Sequence, residues 1–182
     1  MNQLAIIDAY GVLTEATTLK IQRLLPGPIE RIWSYLTDSE MRRKWLAAGE
    51  MQMKAGSSFE FIWRNDELSD PPGKRPDGFD EEHRMQGRIT ELDPPRRISF
   101  TWRDSGDVSI ELEEKGNDVL LTLIHRRLPN RNTMMMVGAG WHMIGPIAST
   151  ANWMRCNRHN GQGSSCSRSW ATNAAINTSA IA

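Results

Sequence analysis

Apolar and polar positions along this chain fall into two rhythms, and their order predicts the architecture. From Thr18 to Leu25 the side chains alternate, Leu19, Ile21 and Arg23 against Lys20, Gln22 and Leu24, the period-2 pattern of a strand. Pro26-Gly27-Pro28 ends it, and Pro28 suits the first position of a helix. Ile29, Ile32, Trp33 and Leu36 then recur at i, i+3, i+4 and i+7, one apolar stripe of a helix. Asp38 or Ser39 caps a second short helix that carries Met41, Trp45 and Leu46, with Arg42, Arg43 and Lys44 on its outside.

Period 2 returns at Phe59, Phe61 and Trp63, then at Met85, Gly87 and Ile89 within Arg84 to Leu92, and at Ile98, Phe100 and Trp102 within Arg97 to Arg103. Two further strands follow, Val108 to Glu114 and Val119 to Leu128. The turns between them are short: Asp93-Pro94-Pro95, Asp104 to Asp107, and Lys115-Gly116-Asn117-Asp118. Such connections require antiparallel pairing. Met134, Val137, Gly138 and Trp141 restore the helical stripe, so a last helix begins near Asn132 or Thr133 and ends before Gly145-Pro146. Strands segregated from helices predict an α+β domain with an antiparallel sheet.

Composition sharpens this picture at one point. The formal net charge is +0, which gives no basic footprint for nucleic acid or an anionic membrane surface. No apolar run is long enough to cross a bilayer, and Met1 to Tyr10 lacks the basic start of a signal peptide. With two cysteines and no disulfide framework, a cytoplasmic location is the expectation. All 22 acidic residues lie at or before Asp118, whereas beyond His142 the charged residues are Arg155, Arg158 and Arg168 alone. This low-charge stretch, rich in Ser, Asn, Gly and Ala, reads as a divergent or out-of-frame tail. The expected organisation is an extension over 1–15, one domain over 16–145 and a tail over 146–182.

The motifs Arg23-Leu24-Leu25-Pro26-Gly27-Pro28-Ile29-Glu30-Arg31-Ile32-Trp33, Trp45-Leu46, Pro94-Pro95-Arg96-Arg97-Ile98-Ser99-Phe100-Thr101-Trp102, His125-Arg126-Arg127-Leu128-Pro129 and Gly138-Ala139-Gly140-Trp141-His142 resemble, in this order, bacterial relatives of the activator of the 90-kDa heat-shock protein ATPase. That family belongs to the START and birch-pollen-allergen helix-grip superfamily, and the resemblance spans about residues 10–142. It implies a curved antiparallel sheet wrapped around a C-terminal helix, with a cavity that takes apolar molecules in many members. After Trp141-His142 the chain departs from the family's long Leu-rich helix.

In that fold Trp63, Phe100, Trp102 and Trp141 face inward, with Met85 as an adaptable filler, and they either line a ligand cavity or pack a dry core. His125, in phase with Leu121 and Leu123, is the ionisable side chain expected among them, as a hydrogen-bonding partner of a ligand or as a structural histidine. The acidic run from Asp66 to Glu82 lacks the ligand ladder of a calcium loop, and Cys156, His159 and Cys166 are too few and too irregular for a zinc site. No cofactor and no metal are expected. No nucleophile elbow or paired catalytic motif accompanies His125. The expectation is a non-catalytic binding domain for a small apolar or amphipathic ligand, monomeric or homodimeric. Its alternatives are a module that docks on a chaperone and an enzyme acting on an apolar substrate.

Overall fold

In a computed structural model, residues 12–15, 17–64, 80–103 and 106–142 are described here, with the backbone alone for 12–15, 136, 139 and 142. They form β1 (Val12–Glu15), β2 (Thr18–Pro26), α1 (Ile29–Thr37), α2 (Ser39–Arg42), β3 (Ser58–Trp63), β4 (His83–Asp93), β5 (Arg97–Trp102), β6 (Gly106–Lys115), β7 (Asp118–Arg126) and α3 (Arg131–His142). The described strands make one seven-stranded sheet in the order β1-β2-β7-β6-β5-β4-β3, every neighbouring pair antiparallel. Hairpins join β3 through β7 in sequence order. The long-range step is the pairing of β2 with β7, from Leu19↔His125 to Pro26↔Asp118.

Period-2 patterning is observed as burial. Leu19, Ile21 and Leu25 of β2, Phe59, Phe61 and Trp63 of β3, Met85 and Ile89 of β4, Ile98 and Phe100 of β5, Val108, Ile110 and Leu112 of β6, and Val119, Leu121, Leu123 and His125 of β7 all point into one core. The helical stripe of α1 adds Ile29, Ile32 and Leu36, with Trp33 half-buried. Helix α3 lays Met134, Val137 and Trp141 on the same face, and a methyl group built on Gly138 would lie 3.5 Å from Leu19 Cδ2. Gly138 thus lies at ordinary packing distance from β2. Asn130 caps α3, its Oδ1 accepting from the Thr133 amide at 2.9 Å, so the helix starts one or two residues before the expected place.

Two sequence expectations need correction. Val12–Glu15, inside the stretch set apart as an extension, pairs with β2 and forms an edge of the sheet. The phase of α2 also differs from the expected one. Asp38 caps this helix through the Met41 amide at 2.8 Å, but Met41 is exposed and Arg42 is buried. The Arg42 guanidinium donates to the carbonyls of Thr37 at 2.9 Å and Leu36 at 3.3 Å and to Gly49, and it stands 5.1 Å over the Phe61 ring. Burial pushes its pKa down to about 10, against the opposing charges of Glu50 and Asp38. A helix of one turn has no stripe long enough to fix its phase, and here the unfilled carbonyls of two chain reversals recruit the arginine.

Leaving α2, Trp45 and Leu46 remain buried as expected, the Trp45 indole donating to the Tyr35 carbonyl at 2.9 Å. Ala48 bridges to Ile62, so the segment after α2 runs along the outer edge of β3. Gly49 makes this possible. Its φ is +119°, and a Cβ there would stand only 1.9 Å from the Glu60 carbonyl oxygen.

Candidate functional site

The concave face of β3, β4, β5 and β7 and the last turn of α3 converge on a continuous set of rings. Alternation alone puts Phe59, Phe61 and Trp63 side by side along β3. Phe59 covers Gly87, its register partner on β4, where a Cβ would come to 2.5 Å from the ring. Phe100 meets Phe59 and Phe61 edge-on at 5.5 and 5.8 Å between centroids. Trp102 then links the two halves. Its centroid is 6.1 Å from Trp63, 5.4 Å from His125 and 5.0 Å from Trp141. Of these rings, Trp102 alone is half-buried; the others are buried.

His125 is fully buried between its register partners Leu19 and Val108. The Trp141 indole N–H donates to its Nδ1 at 3.1 Å. An indole nitrogen only donates, so Nδ1 must carry the lone pair and the ring proton resides on Nε2. Burial pushes the imidazole pKa down to about 4, which keeps the ring neutral at physiological pH. The neutral ring therefore has its basic nitrogen engaged and a single N–H to offer. That Nε2 has no hydrogen-bond partner among the described residues, and neither does the buried Trp63 Nε1. Next to Nε2 lies Gly106, where a Cβ would come to 3.0 Å.

All six residues singled out in the sequence thus share one face. Trp63, Phe100, Trp102, His125 and Trp141 form the ring set, and Met85 lies in the β3–β4 ladder opposite Phe61. Sequence reasoning missed Phe59 and Phe61 as members, although their phase with Trp63 signals it. It also missed His83, which faces Trp63 at 5.8 Å. Burial lowers the pKa of this imidazole, and the nearby charge of Arg103 adds to the effect. The end of the acidic loop is drawn into pairs rather than a metal site: Glu82 accepts from Arg64 at 2.8 Å and from Arg84, and these bonds lower its pKa. No group of residues suited to a metal occurs among the described residues. Asp66, Glu67, Asp70 and Asp77, the trio Cys156, His159 and Cys166, and the whole tail lie outside the described residues.

A family model described as "Activator of Hsp90 ATPase homolog 1-like protein" matches residues 26–145. The chain belongs to this family. A solution structure of a Bordetella parapertussis protein is 30% identical, with a TM-score of 0.67, over 97% of this chain and 91% of that one. CalU16 from Micromonospora echinospora shares the fold at 21% identity and a TM-score of 0.51, over 86% of this chain and 87% of its own. A Bacillus halodurans protein does so at 19% and 0.54, over 72% and 96%. No curated protein matches the chain. The helix-grip architecture expected from the sequence is the fold of this family. No described helix is long and apolar enough to cross a membrane.

Proposed function

We propose that this member of the Activator of Hsp90 ATPase homolog 1-like family binds a small apolar or amphipathic molecule against the ring set between the sheet and α3, without turning it over. The observation that carries the reading is Trp102. It sits in contact with Trp63, His125 and Trp141 at the centre of the set, yet it is the ring left half-buried. An aromatic surface of this kind, framed by rigid sheet and helix, suits an apolar guest. The non-catalytic half of the proposal rests on His125. Its one lone pair is engaged by Trp141 and its pKa of about 4 lies far below neutrality, so it is poorly suited to act as a base or an acid.

The test is a titration with apolar compounds, among them ethylbenzene, followed by the indole N–H resonances of the folded protein. Saturable shifts at Trp63, Trp102 and Trp141 are expected, and Trp102→Ala should weaken binding about tenfold. A panel that leaves every indole resonance unmoved rejects the reading. A second reading, docking on a chaperone of the 90-kDa heat-shock class, is favoured by the family's description alone. It requires surface substitutions, and not Trp102→Ala, to alter the interaction.

A further inference from the structure

The ring set is not chemically uniform: it holds two buried N–H donors that nothing in the described residues satisfies, His125 Nε2 and Trp63 Nε1. Leaving such a group without a partner is unfavourable, and folded proteins rarely do so without a ligand, a water or a function to explain it. The two donors belong to rings that both neighbour Trp102, whose centroid is 6.1 Å from one and 5.4 Å from the other. His125 is not free to reverse its role. Trp141 donates to Nδ1 at 3.1 Å, which commits the opposite nitrogen to donation. Gly106 packs beside that nitrogen, so closely that a Cβ there would stand 3.0 Å from it.

We infer that the ligand carries an uncharged acceptor oxygen, a carbonyl, which accepts from His125 Nε2–H while its apolar body lies on Trp102. This deepens the proposed function and rests on it. A neutral imidazole with one fixed donor matches a neutral acceptor. A ligand whose polar group is itself only a donor meets nitrogens that can accept nothing. Trp141 is a positioning residue in this scheme: it touches the imidazole, sets its tautomer and leaves the opposite nitrogen as donor. His125 acts as the residue that selects ligands by polarity, in a site whose remaining surface selects by shape and apolarity. Discrimination of this kind is steep, because an analogue lacking the oxygen leaves the donor desolvated and unpaired.

The experiment compares acetophenone with ethylbenzene, nearly equal in shape and differing by the carbonyl, on the full chain and on His125→Phe. Acetophenone should bind the wild type at least about tenfold more tightly than ethylbenzene, and His125→Phe should bring the two to within about twofold. Long-range nitrogen–proton spectra of the wild type give a second readout that needs no variant. The His125 proton should reside on Nε2, and its resonance should move with acetophenone and not with ethylbenzene. Equal affinities for the two compounds, or a ring proton found on Nδ1, would overturn the inference while leaving apolar binding intact. Failure of both compounds to bind would instead remove the reading on which it rests.

Discussion

At the scale of single residues, burial has given His125 and Arg42 opposite consequences from one cause. Both lie in the core, and desolvation lowers the pKa of both, to about 4 and about 10. Arg42 stays charged at neutral pH because about 10 is still far above it, and three backbone carbonyls hold the charge in place. His125 is neutral, and its neutrality is part of the fold. Above its unfolded pKa of about 6.5 the ring is neutral in both states, and the stability associated with it is fully present. As pH falls from 6.5 towards 4 the unfolded chain takes up a proton that the folded chain does not, so that stability is lost across this window. The shift corresponds to about 3 kcal/mol at most. Urea unfolding at pH 7.5 and 4.5 should show the wild type losing more stability on acidification than His125→Gln does, by an amount of this order. Equal losses would mean that His125 is already solvated in the folded state.

Single elements differ in how much their own sequence determines. Strands β2 to β7 were legible because apolar residues alternate along each of them, and the hairpins because Asp93-Pro94-Pro95 and Lys115-Gly116-Asn117-Asp118 leave little choice of turn. The ring set was legible in part for the same reason: Trp63, Phe100 and Trp102 share a phase. Its closure by Trp141 on His125, across 16 residues and two element types, depends on tertiary packing that no local pattern encodes. Helix α2 was misread because four residues cannot carry a stripe, and β1 because its pairing with β2 is the only feature that makes it a strand. Gly49 is the element-scale consequence of the α2 turn. It joins α2 to the edge of β3 at φ +119°, with no room for a side chain beside Glu60. Gly49→Ala should therefore cost more than about 2 kcal/mol, since both the backbone conformation and the contact are incompatible with a Cβ. Chemical denaturation of the variant measures this, and an unchanged midpoint would show that the turn relaxes at no cost.

The whole molecule is an open sheet whose concave face needs a lid of its own chain. Hairpins assemble β3 to β7 locally, and the β2–β7 ladder adds the start of the domain, but none of this covers Trp102, His125 and Leu19. Helix α3 does, with Trp141 on Trp102 and His125 and Gly138 beside Leu19, and it buries Met134, Val137 and Trp141. Burying side chains of this size is worth roughly 1.5 to 3 kcal/mol each, so the three contribute about 5 to 9 kcal/mol as an upper estimate. A domain of this kind has in all only about 5 to 15 kcal/mol of stability. The clamp is thus comparable to the net stability of the fold, and the site and the fold fail together. A chain ending after Pro129 should show no cooperative unfolding transition, whereas one ending after Gly145, which retains all of α3, should unfold with nearly the midpoint of the complete chain. Thermal melts of the three chains side by side decide it. Cooperative unfolding of the shortest chain at the full midpoint would make α3 dispensable. A loss in the Gly145-ended chain as large as in the shortest would transfer the clamp to residues 146–182, and the reading of that stretch as a divergent tail would fall with it.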